Sequence, residues 1–177
     1  MPIIYYIRHG ETDYNAEARL QGRRDTLLNT HGRLQAADAA GILRDLFVRD
    51  HRRVADFDYV ASPLKRARET MEIAYGDWEG MTLLEIEARM PEELERRDRD
   101  KWDFSPPGGG ESYRQLAARI VDWYRSVTRD TLVAAHGGGV RALMAIFKVM
   151  SEEEATRAQI AQGVVYVFAD GTMARYA

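Results

Sequence analysis

The chain contains four histidines, and two of them stand in the same local setting. His9 closes the apolar run of "IIYYIRHGETDYN" and His136 closes that of "TLVAAHGGGV"; each is followed at once by glycine, and Arg8 precedes the first. A neutral imidazole offers a nucleophilic ring nitrogen near neutral pH, and a guanidinium offers a fork of donors that matches phosphate oxygens. Two imidazoles beside arginine therefore point to phosphoryl chemistry. Phosphate monoester hydrolysis is among the slowest uncatalysed reactions, and phosphoryl transfer depends on positioning plus donors aimed at the equatorial oxygens. A histidine nitrogen can accept the phosphoryl group itself, because the N–P bond it forms is labile to water. Glycine after each histidine removes a side chain that would obstruct the ligand. The departing alkoxide needs a proton, so a carboxyl group with a raised pKa is expected close by. His31 and His51 lack this setting and read as surface residues.

The elements that must position these groups are read from hydrophobic periodicity. Ile3 to Ile7 reads as a buried strand, Phe57 to Ala61 as a second and Thr131 to Ala135 as a third. Asn29-Thr30 caps a helix with apolar positions Leu34, Ala37, Ile42 and Leu46. Ser62-Pro63 launches the helix "LKRARETM", which places Arg66 one turn beyond a strand end. Leu83 to Met90 reads as a short helix stopped by Pro91, followed by a charged helix from Glu92 to Asp100. Tyr113 to Val127 carries Leu116, Ile120, Trp123 and Tyr124 on one face. Val140 to Met150 is a further helix, and Val164–Phe168 with Met173–Tyr176 forms a terminal hairpin about Asp170-Gly171. Strands alternating with helices predict a single α/β domain over residues 1–177: three layers, α/β/α, with a mainly parallel sheet and an antiparallel edge strand. In such sheets ligands bind beyond the carboxyl ends of the strands, which is where Arg8, His9 and His136 fall.

Composition narrows the function classes. There is no cysteine, so disulfides and thiolate metal sites are excluded. The 25 basic against 28 acidic residues argue against a broad nucleic-acid-binding surface, so any attraction for anions must be local. No stretch is apolar and long enough for a membrane span and no leader is evident, so the expected location is cytoplasmic. "PPGGGES" lacks the lysine and preceding strand of a nucleotide P-loop and reads as a loop into a helix. A metal held by His9 and His136 with Asp13 or Glu11 would be repelled by the adjoining arginines, so no metal is expected. Trp78, Trp102 and Trp123 read as packing residues, with Trp102 placed near the pocket mouth.

"IRHGETDYN", "RLQG", "ASPLKRARET", "YGDWEG" and "AAHGGGVRAL" together resemble the motifs of the histidine phosphatase superfamily, the family of cofactor-dependent phosphoglycerate mutases and related phosphatases. The resemblance runs nearly end to end and implies a phosphoglycerate mutase-like fold. By position it implies that His9 is the nucleophile that becomes phosphohistidine and that Arg8, Arg66 and His136 hold the phosphoryl oxygens. It further implies that Asn15, Gln21 and Gly22 contact substrate, that Gly137 supplies a backbone donor, and that Glu72 is the general acid. Glu72 also marks a departure, since only five residues separate it from Arg66. At about 100° per residue a continuous helix turns the two toward opposite faces, and no parallel crossover fits in so little chain. About twenty or more residues, the minimum for that crossover, are therefore expected to be absent from the numbering near Thr70 to Ile73, in a mobile stretch. In a continuous chain Glu11, Asp13 or Glu111 become alternative acids.

The resemblance covers two activities. A mutase must hold a bisphosphorylated intermediate with additional basic residues and exclude water. The family's mutases carry a "TGW"-like segment where this chain has "LQGR", and a basic insertion where it has "KWDFSPPGGGES"; Arg96, Arg97 and Arg99 read as solvated. The expected activity is metal-independent hydrolysis of a phosphate monoester, on a small phosphorylated metabolite and without a cofactor. The alternatives are a 2,3-bisphosphoglycerate-dependent phosphoglycerate mutase and a non-catalytic phospho-ligand binding module. No nucleic acid or membrane partner is expected, and a homodimer is compatible.

Overall fold

The computed structural model describes residues 1–22, 24–61 and 74–177. Arg66, Glu72, the "LKRARET" helix and the gap expected at Thr70 to Ile73 all lie outside the described residues.

Five strands form one sheet in the order β2-β3-β1-β4-β5. They are β1 (Ile4–Arg8), β2 (Asp58–Ala61), β3 (Thr131–Ala135), β4 (Val165–Ala169) and β5 (Thr172–Tyr176). β1 and β2 both run parallel to β3, whereas β4 is antiparallel to β1 and to β5. The sheet is thus mixed, its antiparallel part a complete hairpin rather than one edge strand. Asp170 and Gly171 make the hairpin turn with both φ angles positive, 47° and 75°, which matches a two-residue turn to the strand twist.

Side chains of β1 alternate between two cores. Ile4 and Tyr6 join the larger one, with Leu116 and Ile120 of helix α5 (Tyr113–Ser126) and Val140, Leu143 and Met144 of α6 (Gly137–Ile146). Tyr5 faces the opposite side, where it meets Phe47 and Phe57 edge-on at 5.6 and 5.2 Å. Helix α2 (Thr30–Arg49) covers that side, capped as expected by Asn29, whose Oδ1 accepts from Gly32 N. Its buried stripe is Ala39, Leu43, Leu46 and Phe47. This stripe is displaced from the expected one: Leu34 and Ala37 are exposed, because the helix meets the sheet along its later turns.

The remaining helices frame one end of the sheet. A short α1 (Asp13–Ala16) follows β1, and α3 (Leu83–Arg89) and α4 (Pro91–Arg99) precede α5. Helix α7 (Glu152–Arg157), too short for periodicity to reveal, begins at a Ser151 capping box. Helix α6 starts three residues earlier than periodicity indicates, so the glycine run lies inside its first turn. Trp123 and Tyr124 of α5 are only half-buried against the larger core.

Candidate active site

Strand register brings the two histidines together. β1 and β3 pair with Arg8 opposite Ala135, and His9 N–H extends the ladder by donating to Ala135 O at 2.8 Å. The residue that follows β3 is His136, and the two imidazole centroids lie 5.0 Å apart at an interplanar angle of 64°. β2 delivers a third strand end beside them, with Ala61 opposite Ala134.

Each ring is held by its surroundings. His9 Nδ1 lies 2.7 Å from the carbonyl oxygen of Gly10. A carbonyl can only accept, so Nδ1 carries the proton and the lone pair of the neutral ring is on Nε2. His136 is buried and forms the N-cap of α6. The Tyr6 hydroxyl straddles its peptide, donating to His136 O at 2.9 Å and accepting from His136 N at 3.2 Å. Immediately after it come the first-turn amides of α6, donors that suit an anion.

The glycines after the histidines serve different purposes. A Cβ on Gly10 would stand 2.0 Å from Gly32 O, so this glycine admits the backbone of α2 rather than a ligand. A Cβ on Gly137 would meet only Arg8 Nε at 3.5 Å and Arg141 Nη1 at 3.6 Å, two guanidiniums flanking one point. Arg8 donates to Ile160 O, while its Nε is buried and has no hydrogen-bond partner among the described residues. Burial, and then the neighbouring Arg141, disfavour the charge of Arg8 and lower its pKa. Arg141 donates to Ala158 O at 3.0 Å and to Tyr113 Oη at 3.4 Å. Among the described residues neither guanidinium has a carboxylate partner, so both retain their attraction for an anion.

The other residues singled out from the sequence sit around this centre. Asn15 Oδ1 accepts from Thr12 N, Thr12 Oγ1 and Gln162 Nε2, so its Nδ2 is the group left to donate. Gln21 is buried and accepts from Thr26 Oγ1 at 2.7 Å, and Gly22 packs against the Glu79 side chain. Of the alternative acids, Asp13 is exposed, Glu11 accepts from Asn29 Nδ2, and both oxygens of Glu111 accept from Arg119 at 2.7 Å. His31 and His51 are exposed, as expected.

A cleft of about 170 Å³ adjoins the centre, lined by Tyr75, Trp78, Lys101, Glu111, Tyr113 and Arg141 among others. Arg97 also lines it, with a side chain only 18% exposed, so it is not the solvated residue that its charged helix suggested. Arg96 does pair with Glu93 on the outer face. Trp78, read as packing, is both fully buried and part of the cleft wall, whereas Trp102 borders a neighbouring depression. Among the described residues, no group of three or more His, Cys, Asp or Glu is arranged to hold a metal, and no helix is long and apolar enough to cross a membrane.

A family model, the histidine phosphatase superfamily (branch 1), matches residues 4–171 of the chain. The chain belongs to the histidine phosphatase superfamily. It is 35% identical over 165 residues to the glucosyl-3-phosphoglycerate phosphatase of Mycolicibacterium vanbaalenii, covering 80% of this chain and 72% of the relative. It is 30% identical to the 2,3-bisphosphoglycerate-dependent phosphoglycerate mutase of Methylobacterium radiotolerans, covering 97% and 92%. That alignment runs over 197 positions against the 177 residues present here, so at least 20 of its positions have no residue in this chain. Among solved structures, mycobacterial glucosyl-3-phosphoglycerate phosphatase complexed with VO3 superposes with a TM-score of 0.75 at 26% identity, covering 96% of this chain and 91% of that one. The protein is a phosphomonoesterase of the histidine phosphatase superfamily, with the phosphoglycerate mutase-like fold read from its motifs.

Sequence reasoning missed Arg141, Lys101 and Tyr6. Arg141 was within reach: it lies four residues after Gly137, one helical turn on, and therefore on the same face of α6. Tyr6 carried no signal, since alternation places it in the core and only the register with β3 brings its hydroxyl to His136.

Proposed function

We propose that this protein hydrolyses phosphate monoesters in two steps through a phosphohistidine on His9, without a metal or organic cofactor. The observation that carries the reading is the Nδ1 contact to Gly10 O, which directs the His9 lone pair to Nε2, on a ring whose centroid lies 5.0 Å from that of His136. In the first step an Nε2–P bond forms as the P–O bond to the alcohol breaks. The leaving oxygen takes a proton from the carboxyl group assigned to Glu72. In the second step water attacks phosphorus, gives its proton to the same carboxylate, and the N–P bond breaks to release inorganic phosphate. Arg8, Arg66 and His136 hold the equatorial oxygens, with Asn15, Gln21, Gly22 and the Gly137 amide around the phosphoryl group. Guanidinium charge takes the place a dication would fill, and it would repel one. The substrate is a small phosphorylated metabolite.

The mutase reading is favoured by one observation, the presence of Arg97 and Lys101 in the cleft wall. Incubation with a labelled phosphomonoester, followed by quenching in alkaline detergent to preserve the acid-labile N–P bond, is expected to leave label on His9. His9→Ala is expected to lose label and at least about 10³-fold of turnover. Steady turnover with no labelled protein would overturn the phosphohistidine. Interconversion of phosphoglycerates that requires a bisphosphoglycerate primer, with little phosphate released, would establish the mutase instead.

A further inference from the structure

We propose that the segment joining α7 to β4, residues 158–162, is a brace that fixes the spacing of the phosphate-binding side chains, and that Tyr166 is the positioning residue that holds the brace in place. The inference rests on the phosphomonoesterase reading and deepens it.

Four hydrogen bonds carry it. The carbonyl of Ala158 accepts from Arg141 Nε at 3.0 Å, and that of Ile160 accepts from Arg8 Nη1. Further along, Gln162 donates through Nε2 to Asn15 Oδ1 at 3.2 Å. Between Ile160 and Gln162, the Ala161 N–H donates to the Tyr166 hydroxyl at 2.8 Å. Alternate positions of one short segment thus hold side chains that arrive from α6, β1 and α1.

Repulsion is what the brace opposes. Arg8 and Arg141 both flank the point above Gly137, and burial first and Arg141 second lower the pKa of Arg8. Two long side chains of like charge swing apart unless something holds them. A carboxylate would hold a guanidinium by cancelling its charge, whereas a carbonyl holds it and leaves the charge for an anion. Ile160 O takes Nη1 of Arg8, and the buried Nε remains on the side of the Gly137 point. Donors fixed before the ligand arrives cost little ordering when it binds.

The brace is itself anchored at both ends. Ala158 N–H donates to Glu154 O at 3.0 Å at the close of α7, Ile160 is buried in the larger core, and Gly163 turns the chain toward β4 with a φ of 72°. Tyr166 is buried and stands opposite Tyr6 in the β1–β4 register. These two tyrosines share one face of the sheet and divide the work, Tyr6 holding the His136 peptide and Tyr166 the brace.

Tyr166→Phe keeps the ring and removes the acceptor. With the variant shown to be folded by near-ultraviolet circular dichroism, kcat/KM for 4-nitrophenyl phosphate and affinity for orthovanadate are each expected to fall about tenfold, the scale of one hydrogen bond. Arg8→Ala removes the main group through which the brace acts, so in that background Tyr166→Phe is expected to add less than about threefold, whereas a general loosening of the fold multiplies in full. Gln162→Met, at a half-buried position, gives a second reading should Tyr166→Phe fail to fold. It deletes the donor to Asn15 and is expected to lower both quantities about threefold, with no further loss in an Asn15→Ala background. Undiminished turnover and orthovanadate affinity in the folded variants, or losses that multiply in full in the two backgrounds, overturn the brace. Orthovanadate affinities that follow the expected pattern in a protein that hydrolyses no phosphomonoester overturn the hydrolase reading and leave the brace standing.

Discussion

A single hydroxyl decides how firmly the second histidine is placed. Tyr6 Oη lies between the N–H and the carbonyl of His136, inside a core that excludes water. Tyr6→Phe keeps the ring and deletes only that oxygen, so the buried His136 N–H loses its bond to Tyr6 and the His136 carbonyl, which also accepts from Gly139 N at 3.2 Å, loses one of its donors. The expected loss of stability is about 1–3 kcal/mol, read by urea unfolding. Because His136 then loses a positional constraint, kcat is expected to fall by about tenfold or more with a smaller change in KM. A variant as active as the wild type would show that strand register alone positions the imidazole.

At the scale of elements, the two glycines next to the histidines separate packing from chemistry. Gly10 is where α2 meets the turn after β1, and a methyl group there would overlap the Gly32 carbonyl at 2.0 Å. Gly10→Ala is expected to cost about 2–3 kcal/mol, because backbone cannot move aside as a flexible side chain does. Gly137 sits in the first turn of α6 in open surroundings, where a methyl group would find nothing nearer than 3.5 Å. Alanine favours a helix over glycine by about 1 kcal/mol in an interior position, so Gly137→Ala is expected to unfold no earlier than the wild type. Its methyl group stands between Arg8 and Arg141, and KM is expected to rise. Denaturant midpoints and KM for the two variants check both halves, and equal destabilisation by the two would contradict the division of roles.

At the scale of the molecule, the cation-rich cleft links charge to stability. Lys101 has an ordinary pKa of 10.5 and a folded one of about 8. Between these values the unfolded chain holds a proton that the folded one has released, so stability from this group falls as pH drops through the window and rises no further above it. Put in terms of sign, the unfolded state binds more protons there, and stability therefore increases with pH. Below pH 8 both states are protonated and the folded state bears the full burial and repulsion. Lys101→Met is therefore expected to be stabilising relative to wild type at pH 7, and that advantage is expected to shrink as pH rises toward about 10. A difference independent of pH over this range would show that Lys101 is not held among like charges. Added salt is expected to raise KM, since screening weakens the attraction of Arg8 and Arg141 for an anionic substrate.

By itself the sequence determined the fold class and the pair of histidines at the strand ends. Local rules suffice for these: β-branched and aromatic runs mark strands, Asn29 caps a helix, and an imidazole followed by glycine at each of two strand ends is legible without coordinates. The centre's arginine Arg8 and the hairpin at Asp170-Gly171 were legible for the same reason. Tertiary structure decided what depends on residues far apart in the chain. Which face of α2 is buried, which glycine admits backbone and which borders the ligand, and which of the charged residues near the end of α4 turns inward are all set by neighbours distant in sequence. Parallel register, a property of two strands jointly, is what sets His9 beside His136.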